Sequence, residues 1–189
     1  MLPEFIEFCQ KLFPCIDPYT AEQAKVAMRQ FDGDKGPSLV IPAPSLDYCQ
    51  GDIYTEIPFY YTSKTGELRV IKRKAQLLSN TCDASRDDRL LFAAVHPLND
   101  LADNASLVDA IRRNLRFSAF YLPDNIMEDE YVDFELINAM SREMFDKLCK
   151  TGKVRRIASL TQVGYFMLIC KLTVFFMRPE DAQVNSERA

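Results

Sequence analysis

The sequence predicts an α+β fold in which a small antiparallel sheet or barrel is flanked by short helices. Two observations lead to this prediction. The 189 residues are 48% hydrophobic and 26% charged, which is typical of a chain that folds around one substantial core. From residue 50 onward, short aromatic and β-branched segments alternate with turn signals and with amphipathic segments.

Five segments have the composition and periodicity of strands. Pro58 indicates an edge or a bulge in the first of them, because proline cannot donate a ladder hydrogen bond. The turn at residues 63–66 (SKTG) predicts that the first two strands pair as a hairpin. In the last strand Val132 and Phe134 alternate with acidic residues, as in a half-buried strand. The five segments are residues 52–61, 67–79, 90–98, 116–122 and 131–138.

Helices are predicted in five other segments. Asp17 is the expected N-cap of the second helix, with Pro18 at its first position. Ser106 and Asp109 are spaced like a capping box, and Ser141 is the expected N-cap of the fourth helix. The last helix is apolar on nearly all sides, so we expect it to be buried on more than one side. The five segments are residues 3–13, 18–31, 106–115, 142–152 and 160–177.

The net charge and the spacing of the cysteines limit the classes of function that the chain can have. The net charge of -4 and the pI of about 5.1 exclude a basic surface over the whole chain, although a short, shaped nucleic-acid site stays compatible with them. The six cysteines form no C-x-x-C pair and the only histidine is His96, so we predict neither a metal site nor a cofactor. The N-terminus does not read as a secretory signal, so we expect a cytoplasmic protein with reduced thiols.

Three short segments resemble, in their order and spacing, the MazF/PemK toxin family. They are GDI at residues 51–53, KRKAQLLSN at residues 72–80 and AVHPL at residues 94–98. The family has G-D-[IV], then R-P-A-x-[VL]-[VL]-S-N, and then P-[ILC]-[TS]. The resemblance covers about residues 50–177 and implies a small SH3-like antiparallel β-barrel with peripheral helices and an apolar C-terminal helix. It divides the chain into a helical extension and linker (1–48), the barrel domain (49–178) and a flexible tail (179–189).

The resemblance also implies an activity, namely metal-independent cleavage of single-stranded RNA. Such a reaction needs a general base, a general acid and a cation that stabilises the developing negative charge on phosphate. With Ala75 aligned to the motif's alanine, Arg73 takes the place of its arginine. The family's hydroxyl residue is missing, because Asn99 and Asp100 follow Pro97-Leu98. His96 is a candidate acid or base, with a structural core histidine as the alternative.

Further candidates lie near Arg73 and could bind RNA or a protein partner. Arg69, Lys72 and Lys74 belong to the densest basic patch, which is either a phosphate-contacting surface or a solvated strand face. Tyr54 is a candidate stacking platform for an unpaired base, with cross-strand packing as the alternative. The remaining two candidates, at the S-N of the family motif, are Ser79 and Asn80.

Two functions follow from these residues. The first is a non-catalytic interaction module that binds a protein or RNA partner in a bacterial stress, toxin–antitoxin or phage-defence system. The alternative is an active ribonuclease toxin with a rearranged site. The missing hydroxyl residue, the acidic charge and the additional N-terminal region favour the first. In either case we expect no membrane partner, and we expect a homodimer formed through the apolar C-terminal helix.

Overall fold

A computed structural model describes residue 11 and residues 18–32, 36–43, 48–123 and 125–177. It confirms the α+β class: seven strands form one antiparallel sheet in the order β1-β7-β2-β3-β4-β6-β5. The strands are β1 Val40–Pro42, β2 Ile53–Thr62, β3 Leu68–Leu77, β4 Arg89–Pro97, β5 Ala119–Tyr121, β6 Glu130–Ser141 and β7 Arg156–Leu160. The helices are α1 Pro18–Met28, α2 Thr81–Ala84, α3 Ala105–Arg112, α4 Arg142–Lys150 and α5 Gln162–Met177, with 3-10 turns at Arg29–Asp32, Leu98–Leu101 and Asn125–Met127.

The predicted hairpin of β2 and β3 is confirmed. Its turn closes where the Ser63 N–H donates to the Glu67 carbonyl at 2.8 Å. Gly66 has a φ of 83° in this turn, a backbone conformation that glycine adopts without strain. From there the strands stay in register over most of their length, with Tyr60 opposite Val70. This hairpin is the longest continuous ladder next to the candidate site.

The sheet curls into a small barrel because β6 returns to the outer edge of β2. At that point the side-chain amide of Asn138 takes the place of a neighbouring strand. The Tyr60 N–H donates to its Oδ1 at 2.5 Å, and its Nδ2 donates to the Tyr60 carbonyl at 3.3 Å. The barrel encloses a core of aromatic and aliphatic side chains, which includes Tyr54, Ile57, Phe59, Leu77, Phe92 and Phe145.

Several element boundaries differ from the sequence predictions. The last helix begins at Gln162 rather than at residue 160, because residues 156–160 form β7 and pair with both β1 and β2. The N-cap of α3 is Asn104, whose Oδ1 accepts the Leu107 N–H at 3.1 Å, so the capping box predicted at Ser106 is wrong. The predicted cap of α4 is confirmed, since the Ser141 hydroxyl accepts the Met144 N–H at 3.3 Å.

The N-terminal part of the chain packs in a second core cluster, which is distinct from the one inside the barrel. Ala24, Ala27 and Phe31 are buried in the same cluster as α5, and α1 packs directly on that helix. The burial predicted for α5 is therefore confirmed on the barrel side and on the α1 side. None of the described helices is long and apolar enough to cross a membrane. The predicted helix at residues 3–13, the cap at Asp17 and the tail at 179–189 lie outside the described residues, apart from residue 11.

One charged residue is buried in α5. Lys171 is 2% exposed, and its ammonium group donates hydrogen bonds to the carbonyls of Asn114 (2.9 Å) and Arg116 (2.6 Å). These bonds fasten α5 to the segment between α3 and β5. Because burial disfavours the charged form, it lowers the pKa of Lys171 from 10.5 to about 7.

This pKa predicts a pH-dependent stability. Between pH 7 and 9 the unfolded chain keeps the Lys171 proton while the folded chain loses it, so folding is favoured as the pH rises. We expect the free energy of unfolding by urea to rise by about 2 kcal/mol over this interval from Lys171 alone. Lys171→Met should remove this part of the pH dependence. An identical pH profile in the two proteins would contradict the prediction.

Candidate functional site

The candidate site lies where β3 and β4 separate. These strands pair only between Ala75–Leu77 and Phe92–Ala94. Beyond Ala94, β4 follows β6 instead, so that His96 lies opposite Tyr131. A bulge in β6, between the partners of Ala93 and Ala94, marks the point of divergence. The result is a wedge between the outer half of β3 and the end of β4.

Two ion pairs connect the sides of this wedge. The Arg73 guanidinium of β3 lies 3.6 Å from the Asp100 carboxylate, which belongs to the 3-10 turn after β4. The Lys74 ammonium donates to the Glu130 carboxylate, at the start of β6, at 2.7 Å. We call the following group the wedge cluster: Arg73, Lys74, His96, Asp100, Glu130, Tyr131 and Asp133.

His96 brings an imidazole into the wedge cluster, but not an accessible one. Its Nε2 is buried, has no hydrogen-bond partner and lies 3.8 Å from the Asp133 carboxylate. Burial lowers the pKa of His96 most strongly; Asp133 and Asp100 oppose this effect, while Arg73 adds to it. The imidazole is therefore neutral at neutral pH, and its contact with Asp133 is not an ion pair there. Burial also raises the pKa of the Asp133 carboxyl above 3.8.

Tyr131 places a hydroxyl-bearing side chain in the same cluster. Its ring centroid lies 5.9 Å from that of His96, with the rings tilted by 30°. Burial, followed by the charges of Asp133 and Asp100, raises the pKa of Tyr131 to about 12. The phenol is therefore protonated at neutral pH and is a poor proton acceptor in the sense that a general base requires.

The other predicted site residues lie outside the wedge cluster. The Arg69 guanidinium pairs with Glu67 at 3.2 Å on the exposed hairpin, and Lys72 is exposed on the same strand. The prediction of a stacking role for Tyr54 is wrong. This residue is 1% exposed and its ring packs edge-on against Phe145 in the core, where no base can reach it.

Ser79 and Asn80 stabilise the turn between β3 and β4. The Ser79 hydroxyl accepts the Leu91 N–H at 2.9 Å, and the Asn80 side chain caps α2 by accepting the Cys82 N–H at 2.9 Å. This turn follows the C-terminal end of β3, whereas Arg69 and Lys72 lie in the N-terminal half of that strand. The structure thus brings Arg73 close to His96 and places Lys74 next to Glu130, but it does not bring Ser79 or Asn80 to them.

The GDI segment has a structural role. Asp52 is fully buried and accepts hydrogen bonds from Arg156 Nη1 (2.8 Å) and from the Ser159 hydroxyl (2.6 Å). Gly51 has a φ of 95°, and a Cβ there would lie 2.5 Å from a side-chain carbon of Leu160. Only glycine satisfies both constraints without displacement. The segment therefore fixes β7 against β2 rather than contributing to the wedge.

Sequence reasoning missed the acidic members of the wedge cluster. Asp100 was named only because it follows Asn99, at the place where a hydroxyl residue is missing, and Asp133 only as part of the polar side of a strand; Glu130 precedes that predicted strand and was not singled out. Among the residues that the structure describes, no group of three or more metal-ligating side chains is arranged to hold a metal ion. A cleft of about 500 Å³ lies beside the 98–101 turn, where its wall includes the ion pair of Arg112 with Asp129.

No protein-family model and no curated protein sequence matches the chain. Among solved structures, the chain is similar to one from a crystal structure of MazE-MazF from Deinococcus radiodurans, with a TM-score of 0.39 and 11% sequence identity. That alignment covers 70% of this chain and 99% of the other.

Proposed function

We propose that the chain is a non-catalytic interaction module, built on a MazF/PemK-like barrel, that binds a protein partner. The supporting observation is the position of Asp100. It follows Asn99, which takes the place of the hydroxyl residue in the family motif, and its carboxylate lies 3.6 Å from the Arg73 guanidinium. A carboxylate there repels a phosphate group and neutralises the cation that cleavage requires.

The neighbouring charges act in the same direction. Lys74 is paired with Glu130, whose side chain is 17% exposed, so this cation is also neutralised within the wedge. Asp133 adds a further carboxyl group behind His96. Binding the backbone of RNA depends on cations that replace the counterions of phosphate. A wedge cluster with three carboxyl groups and two cationic side chains does not meet this requirement.

His96 does not supply the missing acid–base chemistry. A general base has to come within hydrogen-bonding distance of the proton that it removes. The Nε2 atom of His96 is buried, and its pKa is lowered by that burial. The imidazole therefore serves the packing of β4 against Tyr131 in this structure.

The ribonuclease remains the second candidate, and one observation favours it. Arg73, His96 and the phenol of Tyr131 belong to one cluster, a type of grouping that could serve the attack of a ribose 2′-hydroxyl on the adjacent phosphate with departure of the 5′-oxygen. In that case Arg73 would have to exchange Asp100 for the scissile phosphate. The side chains of Arg73 and Asp100 are 37% and 48% exposed, so a phosphate can reach the guanidinium from solvent.

The wider setting of the chain belongs to the same proposal. A role in a bacterial stress, toxin–antitoxin or phage-defence system and a cytoplasmic location rest on the family resemblance and on the reading of the cysteines. Cys82 and Cys149 are free thiols in the structure. Burial raises the pKa of Cys149 to about 11, so that thiol is unreactive at neutral pH.

An RNA cleavage assay distinguishes the two functions. We expect the purified chain and its Arg73→Ala variant to leave single-stranded RNA intact in the presence of a metal chelator, because the cation of the wedge is neutralised. The measurement is gel analysis with identification of the product ends. Cleavage to 2′,3′-cyclic phosphate ends that falls by about 10²–10³-fold in Arg73→Ala would establish the ribonuclease instead.

We also propose that the chain forms a homodimer through the end of α5. Phe176 and Met177 are 64% and 63% exposed there, although the rest of the helix is largely buried. Contiguous exposed apolar surface marks interaction sites, and these two side chains would contribute to such a surface in a dimer. We expect a dimer in sedimentation at micromolar concentration and a monomer after Phe176→Glu with Met177→Lys. A monomeric wild-type chain would refute the proposal.

A further inference from the structure

Among the residues that the structure describes, β3 has a strand edge without a neighbouring strand over residues 68–74. The terminal strands of the sheet, β1 and β5, are three residues each, and β1 ends with Pro42. Short edges with proline are poor templates for another strand. By contrast, residues 68–74 of β3 pair with β2 on one side, while no described residue pairs with their other side, because β4 joins β3 only from Ala75 onward.

Two independent observations show which backbone groups face outward. In an antiparallel pair the residues alternate between those bonded to the partner and those whose groups point away. Because the Ser63 N–H bonds to the Glu67 carbonyl, every second residue from Glu67 onward, including Arg69 and Ile71, has its backbone groups directed at β2. In agreement with this alternation, the N–H of Tyr60, which lies opposite Val70, points away from β3 and bonds to Asn138. The N–H and C=O groups of Leu68, Val70 and Lys72 therefore point to the unpaired side.

The side chains next to this edge combine apolar surface with positive charge. Leu68 is 72% exposed, Val70 55% and Tyr60 53%, and all three lie on one face of the hairpin. β3 also carries four basic residues and no acidic one, in a chain whose net charge is -4. Of these four, Lys72 is exposed beside Val70. We define the open edge as residues 68–72 of β3.

We propose that the open edge binds an extended, acidic segment of a protein partner as an additional β-strand. The backbone of the segment would pair with Leu68, Val70 and Lys72, and its apolar side chains would pack on Leu68 and Val70. Its carboxylates, which alternate with the apolar side chains, would lie on the other face of β3 and pair with Arg69 in place of Glu67. This mode gives affinity through main-chain hydrogen bonds and specificity through alternate side chains. The inference rests on the proposed function and specifies where and what such a module binds.

Charge and surface argue against other occupants of the open edge. A second copy of the chain would bring a second set of basic residues and no carboxylate of β3 to the edge, and charges of the same sign repel each other. Single-stranded RNA would leave the apolar face of Leu68 and Val70 without a matching surface, since only Tyr60 among these three offers a ring for stacking.

Hydrogen exchange tests the open edge with a control in the same strand. In the free chain we expect rapid exchange at the amides of Leu68, Val70 and Lys72, and protection at Arg69 and Ile71, whose groups face β2. The probe is a short fluorescein-labelled peptide of alternating valine and glutamate. Its addition should protect the outward amides. Amides of the open edge that are already protected in the free chain would show that another segment of the chain covers it, and would overturn the proposal.

A pair of variants separates backbone pairing from side-chain contact. Val70→Pro removes an N–H that faces outward, so the hairpin should be preserved, whereas Val70→Ala keeps that N–H. We expect Val70→Pro to weaken binding of the peptide about tenfold, as expected for one lost hydrogen bond with an orphaned acceptor, and Val70→Ala to weaken it less. Thermal unfolding of both variants checks that the fold is intact, and a second proline variant, Leu68→Pro, repeats the test if Val70→Pro unfolds.

Two control peptides test whether binding depends on backbone hydrogen bonds and on negative charge. The same peptide with N-methylated backbone nitrogens, or with lysine in place of glutamate, should not bind. The proposal is wrong if the acidic peptide does not bind at millimolar concentration, if the methylated peptide binds equally well, or if an RNA oligonucleotide protects the open edge instead. These results are distinct from failure of the proposed function. That failure would appear as RNA cleavage that depends on Arg73, regardless of how the Val70 variants bind the peptide.

Discussion

The buried carboxylate of Asp52 is the interaction on which the arrangement of the sheet depends. It is fully buried, and a buried charge is tolerated only where hydrogen bonds and an opposite charge surround it. Arg156 and Ser159 of β7 provide these partners, together with the Cys49 N–H at 2.9 Å. Because Asp52 directly precedes β2, the same side chain fixes the position of β7 and of the turn before the barrel.

The position of β3 follows from that anchor, and the wedge and the open edge follow from β3. The Leu77 N–H donates to the Asp52 carbonyl at 2.8 Å, and the Gly51 N–H donates to the Leu77 carbonyl at 2.7 Å. β3 is thus held at its end by the GDI segment and along its length by β2. β4 leaves it beyond Ala75, where Arg73 and Lys74 bridge the gap to Asp100 and Glu130. The outermost residues of β3 are left with one neighbour.

Local sequence patterns were sufficient for the class of fold but not for the site. The hairpin, the half-buried β6 and the Ser141 cap could be predicted because turn residues, alternation and caps act over a few positions. The burial of Tyr54 and the ion pair of Arg73 with Asp100 could not be predicted in this way, because they depend on how β3, β4 and β6 meet in the folded chain. Likewise, alternation along β3 does not disclose that β4 pairs with only its last residues.

We propose that the carboxylates of the wedge cluster prevent RNA from binding at Arg73. Fluorescence anisotropy of a single-stranded RNA oligonucleotide at low salt tests it directly, because binding to phosphate is strongest there. We expect no binding by the wild-type chain and measurable, salt-sensitive binding by Asp100→Asn. Asp129→Asn, which removes an equal charge from the pair with Arg112 outside the wedge cluster, should not bind. Tight binding by the wild-type chain, or equal binding by the two variants, would contradict the account.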